Sequence, residues 1–372
     1  MRVSDAEREP RRGALIRWIA VGASVVLVIV GTAGSGCAWI SLGYNSLTYP
    51  TTKAGESANV VIFGTTAYGS LGDRGLEIVD LTNPERRRTL APPSGSESID
   101  DLAVADGHLF ALDARRPGHL SVFSLSDPAA PRLTSGPLDV EVGPFSGVSA
   151  GGGRVLVSGG TSLLALRSYD LEGHLSPEVG TIDLGRGQPD VLIAPGGERA
   201  FVSTHFRGPH FGLTTVEVGH TSGTLVRVGS LDLNTIGFTA GGAKPANFPV
   251  EAALLGNVVL VAHVHGLAVV SVKSPEDPRL LSLVGVGVEA VSVDAEGDMA
   301  AVVGSSPRPL LVLLDVSVPS SPVIKRSVLL PEGSYATSVA VGPNHIAVST
   351  HEKGLLVYQR RGWSIGPERK LK

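Results

Sequence analysis

From Asn59 onward the chain alternates short apolar runs with clusters of Gly, Pro, Asn, Asp and Ser. Nothing after residue 50 shows the i, i+3, i+4 spacing of an amphipathic helix, so the pattern predicts many short strands. One phrase recurs: "GLEIVDLTNPE" from Gly75, "HLSVFSLSDPAAP" from His119, "GLAVVSVKSPEDP" from Gly266, "PLLVLLDVSVPSSP" from Pro309, with an echo, "GLLVYQ", from Gly354. Its first leucine falls at Leu76, Leu120, Leu164, Leu213, Leu267, Leu311 and Leu355, at spacings of 44, 44, 49, 54, 44 and 44. A period in the forties with a few strands per unit is that of a propeller blade, and these markers predict an all-β, seven-bladed β-propeller.

Within each unit an earlier strand pair is split by a Gly or Asn turn, as in "DLAVADGHLFAL", "EAALLGNVVLVAH" and "SVAVGPNHIAVST". These read as inner strands a and b, the recurring phrase as strand c, and stretches such as "PRLLSLV" and "PVIKRSVLL" as outer strand d. In the first unit "NVVIFGTT" reads as strand b, leaving "LGYNSLTYP" or another segment to supply strand a. Adjacent and alternating Leu, Ile and Val suit a strand covered on both faces. The prolines after it stop the ladder and fix φ in the c–d connection. Asp80 and Asp315, replaced by Ser124, Ser168 and Ser271 in other units, read as local backbone acceptors at the strand end.

"LEIVDLTNP" and "LVLLDVSVP" resemble the LVIVD repeat of exported or surface-attached prokaryotic proteins. The resemblance implies a β-propeller outside the cytoplasm over 58–372. It implies no particular activity, because the family carries none that transfers.

Ahead of the repeats, no charged residue stands between Arg17 and Lys53, and "WIAVGASVVLVIVGTAGSGCAW" is membrane material. A helix of about 21 residues between Trp18 and Trp39 would span one hydrocarbon core with an aromatic at each interface. The segment 1–17 then reads as a cytoplasmic basic region, 18–41 as a membrane anchor or signal, and 42–57 as a tether. Three fates stand open: a retained helix, simple cleavage, or a lipoprotein signal whose "GSGC" presents Cys37 for lipidation. All three put the propeller on the extracytoplasmic side.

Composition narrows the function classes. Lys and Arg number 31 against 35 Asp and Glu, net −4, which lacks the basic excess a nucleic-acid binder needs. A single cysteine excludes an intrachain disulfide framework and a Cys-rich metal site.

The two long spacings locate insertions. The shorter falls in "THFRGPHFG", the b–c loop of the fourth unit; the longer falls in "NTIGFTAGGAKPANFP", the d–a connection into the fifth. Both connections open on one face of a propeller, and loops are where binding residues concentrate. The segments 205–212 and 234–249, with His205, His210, Phe211, Phe238, Lys244 and Phe248, are therefore the candidate docking surface for a protein or glycan, with no cofactor. The alternative is a metal-dependent enzyme. His205, His263, His265 and His351 end b strands or follow them, and Asp100, Asp101, Asp190, Glu251 and Glu289 open a strands at the same face. Of these, the four histidines with Glu251 and Glu289 could ligate a divalent cation such as zinc. "GVSAG" at Gly147 matches a nucleophile-elbow string, but Ser149 lies in a β repeat without the helix that motif needs. "RRR" at Arg86–Arg88 reads as a solvated outer strand, and His108, His119, His174, His220 and His345 as scattered turn residues that make no site.

Overall fold

The computed structural model describes residues 17–21, 24–28 and 59–365, the last without 116–117, 141–146, 160–161, 169–172, 176–179, 184–187, 206–211, 220–223, 234–250, 264–265, 306 and 352. Two compact units divide the chain, Met1–Thr48 and Tyr49–Lys372.

In the first unit the sequence predicts a helix over 18–41. The described part forms instead an antiparallel strand pair, Arg17–Val21 with Ser24–Val28, registered with Trp18 opposite Leu27. The run is rich in β-branched Val and Ile, which lose side-chain freedom in a helix and suit a strand. The rest of the expected anchor and the tether, Cys37 included, lie outside the described residues. Among the described residues no helix is long and apolar enough to cross a membrane.

The second unit is a β-propeller. Among the described residues its strands form seven four-stranded antiparallel sheets, each ordered a-b-c-d along the chain. Sheet 1 runs Val60–Phe63, Thr66–Ser70, Leu76–Asp80, Arg87–Leu90. This corrects the reading of its start: "VVIF" is strand a, and strand b is "TAYGS", whose Gly and Ser hide it from an apolar scan. Every marker leucine opens or lies near the start of a c strand, from Leu76 to Leu355.

Strands b and c are covered on both sides, as in His108–Asp113, Arg154–Gly159 and Met299–Gly304, where every residue is buried. Outer strands face water; Val323–Leu329 is exposed at nearly every position. The core is accordingly a series of seams between neighbouring sheets. Tyr68, Leu76 and Ile78 meet Leu109 and Phe123 between sheets 1 and 2, while Phe110 and Val122 meet Val148 and Val155 between sheets 2 and 3. Val60, Ala67 and Val79 meet Ala347, Leu355 and Val357, so sheet 7 packs on sheet 1. Arg87 reinforces that last seam, donating to the Leu355 carbonyl at 2.8 Å and pairing with Glu77 at 2.8 Å.

Local chemistry accounts for the repeated phrase. Its opening glycine stands where strand d ends: a Cβ on Gly75, Gly212 or Gly266 would meet the carbonyl oxygen of Leu90, Leu231 or Val284 at 2.1, 2.1 and 2.0 Å. The strand-end Asp makes an Asx turn. Asp80 Oδ1 accepts from Thr82 N at 2.9 Å and Thr82 Oγ1 at 2.6 Å; Asp315 Oδ1 accepts from Ser317 N at 3.1 Å and Ser317 Oγ at 2.6 Å. The following turn also locks sheets together, since the Tyr68 hydroxyl donates to Pro128 O at 2.7 Å and Ser282 Oγ to Pro319 O at 2.8 Å.

Candidate functional site

Antiparallel order puts the start of a, the end of b, the start of c and the end of d at one end of every sheet. This upper face carries both insertions. In sheet 4 strand b ends at His205 and strand c starts at Gly212; strand d ends at Asp232 and the next sheet begins at Ala252. The register sets Gln188 opposite His205 and Gly212 opposite Asp232, so the two insertions leave from the same end. His210, Phe211, Phe238, Lys244 and Phe248 lie outside the described residues; His205 is placed by its backbone alone.

Toward the centre, paired positions within the first three residues of the a strands form one level. Asp101 is opposite Leu112, Gly147 opposite Ser158, Asp190 opposite Ser203, Ser292 opposite Val303 and Ser338 opposite Ser349. Glu251 precedes Ala252 at the corresponding place, its carbonyl accepting from Ala262 N at 3.1 Å. At this level a side chain reaches the neighbouring sheet and accepts from its backbone. Asp101 Oδ2 takes Val148 N at 2.7 Å, Asp190 Oδ2 takes Ala252 N at 2.9 Å, and Ser292 Oγ takes Val339 N at 3.0 Å. Two residues further on, Ser149 Oγ takes Ile193 N at 3.0 Å and Asp294 Oδ2 takes Val341 N at 2.7 Å. Glu251 reaches further, its Oε2 accepting from the hydroxyls of both Ser292 and Ser338, which ties sheet 5 to sheets 6 and 7.

These carboxyls crowd one another. A Cβ on Gly147 would lie 3.4 Å from Asp101 Oδ2 and 3.7 Å from Asp190 Oδ1, so both project over that glycine. Burial pushes Asp101 and Asp190 up to about 7 and Asp294 up to about 6, and the neighbouring Asp101 charge adds to the rise at Asp190. Glu251 is raised well above the usual carboxylate range by burial and then by Asp190.

Sheet 2 adds a network at the same face. Asp113, at the end of strand b and 1% exposed, accepts from Ser96 Oγ, Glu97 N, Ser98 N, Ser98 Oγ and Arg115 N at 2.7–3.1 Å. His119 at the start of strand c reads from the sequence as a scattered turn residue. It stands instead between two carboxylates, Nδ1 3.8 Å from Asp113 and Nε2 3.4 Å from Asp139. Asp113 faces it across the b–c hairpin and Asp139 across the c–d pair, a meeting set by strand register that spacing does not reveal. Ser149 serves as an inter-sheet acceptor, with strand b following rather than a helix.

Of the proposed metal ligands, Glu251 and Glu289 precede a strands, His263 ends strand b of sheet 5, and His351 follows strand b of sheet 7, so all four lie at the upper face. His205 is known by its backbone, and His265 lies outside the described residues. Among the described residues no group of three or more His, Cys, Asp or Glu side chains is arranged to hold a metal ion.

Comparison with known proteins agrees with this architecture. The LVIVD repeat family model matches residues 54–86, within sheet 1 and its approach, and 292–329, nearly all of sheet 6. No curated protein matches the chain. Among solved structures, a crystal structure of Saccharomyces cerevisiae Sqt1 is similar at a TM-score of 0.53 and 14% identity, over 85% of this chain and 86% of that one. A likeness at that identity is one of fold alone.

Proposed function

The chain carries LVIVD repeats in a β-propeller, and from that premise we propose that it is a binding or scaffold module attached to a membrane and facing away from the cytoplasm. The seven sheets serve as the seven blades of one ring, whose upper face docks a protein or glycan through 205–212 and 234–249. The observation that carries this reading is the departure of both insertions from one end of the sheets. The uncharged run between Arg17 and Lys53 supports membrane attachment.

Site-specific photocrosslinking in intact cells tests the docking face. A photoreactive residue at Phe211, Phe238 or Phe248 is expected to trap a discrete species, and one at Val323 on an outer strand is not. Equal trapping from both places, or none from the three phenylalanine positions, overturns the reading. Membrane attachment is tested separately by carbonate extraction and mass spectrometry of the mature amino terminus; unmodified protein in the cytoplasmic fraction contradicts it.

A further inference from the structure

Ser98 Oγ lies 2.7 Å from Asp100 Oδ2 and 2.7 Å from Asp113 Oδ1. A hydroxyl has one proton to give, so it cannot satisfy two ionised carboxylates at once. One of them must be protonated and donate to the hydroxyl while the other accepts from it. The remaining contacts decide which. Asp113 takes three further amide donors, Glu97, Ser98 and Arg115, and shares the Ser96 hydroxyl with the Ser98 carbonyl, an arrangement that favours the anion. Asp100 takes one, Ala114 N at 2.8 Å, and a protonated Oδ2 can still accept it.

We propose that Asp100 holds a proton in the folded chain and donates it to Ser98, which donates to Asp113, and that this line is a pH-operated latch fastening the 91–99 crossover to sheet 2 at the upper face. The bonds to Asp113 come mostly from the crossover itself, so the latch governs whether that loop lies down. On loss of the Asp100 proton to solvent, two anions flank one hydroxyl and one 2.7 Å contact fails. The electrostatic surroundings agree: burial raises Asp100, with the Asp113 charge adding to it and Arg115 opposing, whereas the bonds to Asp113 outweigh its burial and hold it low. The other charged groups facing the line are Glu97, 3.7 Å from Arg115, His119, 3.8 Å from Asp113, and Asp101, which adjoins Asp100 in sequence. Latching does not depend on which ligand docks.

The sign follows from linkage. Asp100 is raised, so its contribution is present in mild acid and lost as pH rises through its folded value; Asp113 is lowered and stays ionised throughout. Hydrogen exchange at the Glu97 and Ser98 amides, corrected for intrinsic rates, tests this on the full chain. Protection is expected to fall at least ~tenfold between about pH 5 and about pH 9. Ser98→Ala removes the hydroxyl and keeps both amides, so its protection should not vary with pH. Equal protection of the parent at both pH values, or parental pH dependence in Ser98→Ala, overturns the proposal. Should Ser98→Ala not fold, the carboxyl carbon titrations of the parent decide: Asp100 must titrate above Asp113, and the reverse order refutes the latch.

Discussion

At the residue scale the recurring phrase divides into positions that carry fold and positions that carry only a turn. Gly266 has φ +145° and its missing Cβ would stand 2.0 Å from the Val284 carbonyl oxygen, so Gly266→Ala must move backbone. Strain of this kind costs on the order of 1–3 kcal/mol before the clash is counted, and thermal unfolding should show a loss in that range or greater. An unchanged melting temperature would mean that strand d does not end against that glycine. Asp315, by contrast, closes an exposed turn and meets Lys325 at 3.1 Å on the surface. Asp315→Asn keeps an acceptor for the turn and should shift the melting temperature little. The sequence showed the Asp role, because a carboxylate before a Pro turn acts on its own neighbours. It did not explain the glycine, whose constraint comes from a strand many residues away.

At the scale of strands and sheets, stability is set by side chains that cross between inner strands. Asp101 and Asp190 stand near 7 and Asp294 near 6 when folded, against about 4 for an unfolded aspartate. The folded chain therefore holds more protons in that window, and stability should fall as pH rises from about 4 to about 7, by up to ~1.4 kcal/mol per pH unit for each proton held. Denaturant midpoints across this window check the sign; a rise toward neutrality would contradict it. Asp190→Asn keeps an oxygen for Ala252 N and removes one titration, so its profile should be flatter. Periodicity placed the c strands and most a–b pairs because apolar alternation repeats with the blade. It failed at "TAYGS", where small and polar residues fill a buried strand, and at the amino-terminal run, where an unbroken apolar stretch suits a strand as well as a helix. The acidic residues at the strand starts were visible in sequence, but their inter-sheet bonds were not, since each partner lies about one repeat further along.

For the whole molecule, closure rests on sheet 7 meeting sheet 1. Leu355 is fully buried there beside Val60 and Val79, and Leu355→Ala should cost about 2–5 kcal/mol as cavity and lost transfer energy combine. A cost near zero, read from chemical denaturation, would mean the two sheets do not share a core. With the ring held in this way, its upper face becomes a fixed platform from which, at His205, Gly212, Asp232 and Ala252, both insertions depart. The most direct measurement is a hydrogen-exchange footprint of the full chain in its native membranes against the purified chain. Added protection is expected over 205–212 and 234–249, with strands such as Val323–Leu329 unchanged. Added protection confined to those outer strands, or absent throughout, would contradict the claim that this face is the docking surface.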